Sequence, residues 1–167
     1  MVHDVEHYTA LPDPVPRQVK LSELLSSTID IWKIEHEPAD IEVTMEPIPG
    51  DSAILVDHNL MRTALVNVLV NAQESMIPRG TVTIATWWDG KWLVISIKDS
   101  GTGITLDDLP RVFDPFFTSK TQGAGLGLTT VNRIVSGHGG EVKIYSTPGV
   151  GTDVRIRFPA LITDGPL

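Results

Sequence analysis

Apolar residues recur with a 3.6-residue period from about position 57 to 75, at Leu60, Met61, Ala64, Leu65, Val68, Leu69, Ala72 and Met76. A helix gathers all of them on one face. Pro78 and Gly80 stop the pattern. Two alternating segments, 81–87 and 92–98, follow at once around Asp89-Gly90, a dipeptide favoured in tight hairpins. One amphipathic helix beside one amphipathic hairpin restricts the chain to a helical layer packed on a largely antiparallel sheet.

The rest of the chain fits that restriction. Residues 22–36 have helical spacing, with Leu21, Leu24, Leu25, Thr28, Ile29 and Trp32 on one side, Ser22 and Glu23 as a cap region and Pro38 as the stop. Residues 41–45 alternate as a strand, and 53–56 read as a second, very short one. A third helix is expected over 126–136, stopped by Gly137, Gly139 and Gly140. Strands at 141–145 and 152–158 are joined by Pro148-Gly149-Val-Gly151. The sum is an α/β (α+β) two-layer sandwich: three helices against about five strands, mixed but mostly antiparallel. Pro12, Pro14 and Pro16 make residues 1–20 an extended linker from a missing upstream domain. Residues 21–160 form one domain, and 161–167 a flexible tail.

Bulk properties remove several classes of function. The net charge of −8, with 13 Lys and Arg, argues against a nucleic-acid surface, which needs clustered cations. The absence of Cys excludes disulfides and thiolate metal sites. No apolar run approaches the roughly 18 residues of a membrane span, and the N-terminus lacks the basic and apolar regions of a signal peptide. The chain reads as cytoplasmic, without direct membrane contact.

Polar residues at apolar positions mark the candidate site. Asn67 and Asn71 are one helical turn apart on one face, and Glu74 continues the stripe. Two Asn in an apolar helix need partners. Either they tie the helix to a loop, or the Asn71 amide oxygen ligates Mg²⁺ already held by a triphosphate. Period two places Asp99 on the face of Leu93, Ile95 and Ile97, where a carboxylate needs a donor. The exocyclic amine of adenine is one such donor, and a turn cap before Gly101 is the other reading. Gly101 and Gly103, followed by Ile104, let the backbone pass close to a ligand. Thr152 shares the parity of Val154, Ile156 and Phe158 and should face the core near Asp99, bonding either a base or its own backbone.

Residues 100–125 carry little regular structure beyond a short helix in 105–113, capped by Thr105 and Asp108. A loop of that length is usually functional. Phe113, Phe116 and Phe117 anchor it to the core, and a detachable anchor makes it a lid. Gly123, Gly125 and Gly127, with Leu126 and Leu128, open the third helix, where exposed N–H groups bind phosphate. There is no P-loop motif and no strand just before the glycines, so neither a P-loop nor a Rossmann fingerprint fits. Lys120 is either a phosphate contact or a solvated loop cation. His138 reads as a helix-terminus cap, and Trp87, Trp88 and Trp92 as a packed hairpin.

These motifs, in this order, resemble the catalytic ATP-binding domain of two-component sensor histidine kinases, within the superfamily that includes gyrase and MutL. Asn67-x-x-x-Asn71-Ala72 is similar to the N box. Asp99-x-Gly101-x-Gly103-Ile104 is similar to the G1 box, Phe113-x-Pro115-Phe116 to the F box and Gly125-Leu-Gly127-Leu128 to the G2 box. Gly149-Val-Gly151-Thr152 is similar to the G3 region. The resemblance implies the Bergerat ATP-binding fold, with ATP between the long helix and the lid. It implies Asn71 on Mg²⁺ with Asn67 in support, Asp99 on adenine, and Lys120 with residues 123–128 on the phosphates. The γ-phosphoryl group would pass to a histidine on a partner helical domain, and from there to a response regulator receiver domain. ATPase branches carry a water-activating Glu where this chain has Asn67, so hydrolysis should be poor. No phosphoacceptor His motif is present, so the chain should not phosphorylate itself and is expected to be monomeric. Two rivals are a serine kinase of the anti-sigma type and a nucleotide-binding pseudokinase that only docks.

Overall fold

The computed structural model describes residues 11–38, 40–50, 52–76, 78–115, 117 and 127–159. In chain order they form β1 (Arg17–Lys20), α1 (Leu21–His36), β2 (Ile41–Met45), β3 (Ala53–Val56) and α2 (His58–Ser75). Then come β4 (Gly80–Asp89), β5 (Trp92–Asp99), α3 (Gly127–Gly137), β6 (Glu141–Thr147) and β7 (Gly151–Pro159).

Five strands make one sheet in the order β2-β4-β5-β7-β6. β2 runs parallel to β4, and the remaining pairings are antiparallel. Alternation along the strands puts Val82, Ile84, Leu93, Ile95, Ile97, Val154, Ile156 and Phe158 into the core. Leu24, Leu25 and Trp32 of α1, Leu65 and Leu69 of α2, and Val131 and Ile134 of α3 cover them. The expected sandwich of three helices on a mixed, mostly antiparallel sheet is the observed one. Trp32 is fully buried, and its indole Nε1–H donates to Gln73 Oε1 at 3.0 Å. Gln73 Nε2 in turn donates to the His36 carbonyl at 3.1 Å, which ties the end of α1 to α2.

Four local expectations change. The short strand β3 does not join the main sheet. It pairs antiparallel with β1, so Arg17–Lys20 belong to a second, two-stranded sheet. Ser22 and Glu23 do not cap α1. The helix begins at Leu21, directly off β1, and the Leu21 N–H donates to the Ser52 carbonyl at 2.9 Å in place of a side-chain cap. The hairpin turn is centred one residue later than expected, because Asp89 pairs with Trp92 and Gly90 takes a φ of +58°. The helix expected in 105–113 shrinks to the 3-10 turn Leu109–Arg111, whose Pro110 has no N–H to give. Its Thr105 cap is present, with the Asp108 N–H 3.2 Å from Thr105 Oγ1.

At the start of α2, Asp57 collects three connections. Its Oδ1 accepts from the Leu60 N–H at 3.1 Å, the usual N-cap bond. Its Oδ2 accepts from the Val15 N–H at 3.0 Å. Its own N–H donates to His138 Nε2 at 3.0 Å, while His138 Nδ1 lies 2.6 Å from the Ile134 carbonyl. A neutral imidazole with its proton on Nδ1 satisfies both bonds. His138 is thus a structural pin between the end of α3 and the start of α2.

The Val15 and Leu60 N–H groups hold the Asp57 carboxyl below its ordinary pKa, against a smaller opposing push from desolvation. A carboxyl lowered on folding stabilises the fold fully above the unfolded value of about 3.9, and the contribution is lost as pH falls through the folded value. Urea unfolding at pH 5 and at pH 3 should therefore show a larger acid loss in the wild type than in Asp57→Asn. Equal losses would show that Asp57 plays no part in acid sensitivity.

Candidate functional site

Asp99 ends β5 on the core face and is only 7% exposed. Its Oδ1 accepts two backbone N–H groups, Gly101 at 2.9 Å and Thr152 at 3.1 Å. The turn-cap bond to Gly101 is present, and the Thr152 bond welds the carboxylate to the start of β7. Both flanking approaches exclude a side chain. A Cβ on Gly101 would strike Ser75 Oγ and lie 2.8 Å from the Ser75 carbonyl, and a Cβ on Gly151 would strike the Asp99 carbonyl. Gly151 also has a φ of +146°, which L side chains rarely adopt.

Thr152 reaches Asp99 through its main chain. Its hydroxyl lies 2.9 Å from Ser146 Oγ. Ser146, which the sequence reading passed over, also accepts from the Ile104 N–H at 2.8 Å and donates to the Gly151 carbonyl at 3.0 Å. Its signal was available, because β6 parity places it on the core face with Val142 and Ile144. Ser146 therefore joins Ile104, Gly151 and Thr152. Gly103 lies between, at a φ of +72°, with the Thr147 carbonyl where a Cβ would stand.

Ser75 is the second residue missed. It lies one turn beyond Asn71, its carbonyl accepts the Thr102 N–H at 3.1 Å, and its hydroxyl abuts Gly101. The end of α2 and the segment after Asp99 are thereby stitched together. Asn67 and Asn71 are half-buried on α2, and Glu74 is exposed. Gly127, the first residue of α3, lies directly against Asn71. A Cβ there would stand 3.3 Å from Asn71 Nδ2 and 3.5 Å from Oδ1. The N-terminus of one helix thus meets the Asn stripe of another, and a side chain at 127 would crowd the Asn71 amide. Leu128 follows, half-buried. Phe113 is half-buried and tied to α3, because its carbonyl accepts the Thr129 hydroxyl at 3.0 Å. The Arg111 guanidinium sits 4.5 Å from the Phe117 ring centre. Phe116, Lys120, Gly123, Gly125 and Leu126 lie outside the described residues.

The arrangement has one polar anchor in the core at Asp99, a helix N-terminus at Gly127 and an amide at Asn71, connected through Ser75. Among the described residues no group of three His, Cys, Asp or Glu side chains is placed to hold a metal by itself. One amide oxygen beside a helix N-terminus suits a Mg²⁺ ion that arrives with phosphate oxygens, since Mg²⁺ keeps most of its shell from water and phosphate. A groove of about 420 Å³ lies on the other face of the sheet, lined by Trp87, Ser96, Asp153 and Arg155 and reaching Asp99 and Ser100. Three of its polar side chains are tied together: Ser96 Oγ donates to Asp153 at 2.6 Å, and Arg155 Nε donates to Asp153 at 2.9 Å. The candidate site lies on the helical side, where Asp99, Asn71 and Gly127 stand.

The sequence model of the family described as "Histidine kinase-, DNA gyrase B-, and HSP90-like ATPase" matches residues 56–162, and the chain belongs to that family. Within it, the chain is a catalytic ATP-binding domain of the two-component sensor histidine kinase kind. It is 35% identical over 144 residues to the signal transduction histidine-protein kinase AtoS of Escherichia coli, covering 86% of this chain and 24% of that protein. It is 35% identical over 156 residues to the sensor-like histidine kinase SenX3 of Mycobacterium tuberculosis, covering 89% of this chain and 38% of that one. Among solved structures, the mycobacterial sensor histidine kinase MprB superposes with a TM-score of 0.74 at 28% identity, over 87% of this chain and 98% of that one. Full-length ShkA in complex with AMPPNP superposes with a TM-score of 0.80 at 28% identity, over 99% of this chain and 36% of that one. The chain thus spans 24% and 38% of the length of the two curated relatives named. No helix among the described residues is long and apolar enough to cross a membrane.

Proposed function

We propose that this chain binds ATP with Mg²⁺ and transfers the γ-phosphoryl group to a histidine on a separate helical domain. The observation that carries the reading is the seating of Gly127 against the Asn71 amide, which sets a helix N-terminus beside a hard oxygen ligand. The relatives' names and the AMPPNP complex of ShkA support it. In this reading Asp99 accepts from the adenine amine, with Gly101, Gly103, Ile104 and Thr152 shaping the base pocket. Asn71 ligates Mg²⁺ with Asn67 in support, and Glu74 stands at the end of that stripe. Lys120, Gly123, Gly125, Leu126, Gly127 and Leu128 hold the phosphates, and Phe113 anchors the lid. Bound Mg²⁺ would offset the phosphate charge.

Catalysis is then positioning and charge neutralisation. The acceptor imidazole attacks the γ-phosphorus, the bond to the β,γ-bridging oxygen breaks, ADP leaves and the imidazolium gives up its proton. Asn67 cannot act as a base toward water, which favours transfer over hydrolysis. The phosphohistidine would pass its phosphoryl group to a response regulator receiver domain. In this reading the connection to the phosphoacceptor domain lies upstream of Arg17; the pairing of β1 with β3 supports it.

The test is incubation with γ-labelled ATP and a phosphoacceptor domain from a related sensor kinase. Acid-labile, base-stable label on the acceptor is expected. Acid-stable label would favour the serine-kinase reading. Nucleotide binding with no transfer would favour a docking module.

A further inference from the structure

Pro14-Val15-Pro16 has one backbone N–H across three residues, because proline has none. That N–H is spent on Asp57 Oδ2, 42 residues away. The Val15 side chain is 63% exposed, so the N–H, more than the side chain, attaches the segment there. The partner is no passive acceptor. Asp57 is the N-cap of α2, the helix that carries Asn67 and Asn71, and its own N–H is held by His138 just past α3.

Helices α2 and α3 are therefore joined at two places. At one end His138 pins Asp57, and at the other Gly127 lies on Asn71. Asp57 and Asn71 are 14 residues apart, about 21 Å along the helix at 1.5 Å per residue. Close-packed interiors have low compressibility and transmit strain. A shift at the Asp57 end is therefore felt where the α3 N-terminus meets Asn71.

We propose that the Asp57 junction couples the Pro14-Val15-Pro16 segment to the nucleotide pocket. Seating of the segment on Asp57 and closure of α2 and α3 around nucleotide favour each other, so an input that lifts the segment weakens nucleotide binding. The inference rests on the nucleotide reading of the site given above.

Coupling between two sites is reciprocal, which sets the test. Hydrogen exchange of the Val15 amide is measured by NMR on the full chain, with and without saturating ADP and Mg²⁺. ADP affinity is measured by calorimetry for the wild type, Val15→Pro and Val15→Ala. Val15→Pro removes the N–H at an exposed position that prolines already flank, and Val15→Ala keeps the N–H and removes the side chain. The expected result is at least threefold slower Val15 exchange with ADP, at least threefold weaker ADP binding in Val15→Pro, and wild-type affinity in Val15→Ala. ADP affinity within twofold of wild type in Val15→Pro, or exchange that ADP leaves unchanged, overturns the coupling. The exchange arm needs no variant, so a poorly folding variant leaves the test intact. If the wild type does not bind ADP at all, the nucleotide reading itself fails and the junction proposal falls with it.

Discussion

Asn71→Ala is expected to lower ATP affinity by about 100-fold in the presence of Mg²⁺, roughly 2.8 kcal/mol at 1.4 kcal/mol per tenfold, and to have little effect with Mg²⁺ removed. The amide oxygen is a hard ligand for an ion that otherwise keeps water and phosphate oxygens. Alanine removes that ligand atom. Stability should stay within about 1 kcal/mol, because Asn71 is half-buried and alanine is the better helix former by several tenths of a kcal/mol. Calorimetric titration with Mg²⁺ or with EDTA separates the two effects. The same loss under both conditions would mean that Asn71 shapes the pocket without holding the ion.

Asp99 should give a split result. Asp99→Ala leaves the Gly101 and Thr152 N–H groups without their acceptor, and each unsatisfied buried donor costs about 1–3 kcal/mol. That variant should unfold at clearly lower urea. Asp99→Asn can keep one oxygen on both N–H groups and so keep the fold. Its second terminal atom becomes an NH₂, which opposes the amine of adenine. Near wild-type unfolding together with a large loss of ADP affinity is expected for Asp99→Asn. Retained affinity would remove Asp99 from base recognition and leave it the turn cap it also is.

The fold was legible where one face of an element is apolar. The periods of residues 57–75 and of the 81–98 hairpin placed α2, β4 and β5 to within a few residues, because burial dictates those patterns. What escaped was decided by long-range partners. Nothing around Arg17 announces a strand until its mate at Ala53–Val56 is known. The start of α1 was misplaced because the carbonyl of Ser52, a residue far along the chain, does the work of a cap. The site follows the same rule. Asp99 and Thr152 stand out by parity, since a polar group on an apolar face is visible in one dimension. The contacts that bind them, through Ser75 and Ser146, join segments about 24 and 47 residues from Asp99 only in three dimensions. His138 looked like a local cap, and it is that, but its second nitrogen reaches Asp57.

The family signature and the folding unit have different limits. The signature spans residues 56–162, yet Leu21, Leu24, Leu25 and Trp32, at most 1% exposed, lie before it. A fragment cut at the signature's edge would lose one of the three helices that roof the sheet, and with it the packing of α1 on α2. The paired structure reaches back to Arg17, the first residue of β1. The difference has a physical origin. A pocket specifies identities, because only an Asn, an Asp or a Gly meets the chemistry at its position. A roof asks only for apolar volume, which many sequences supply equally well.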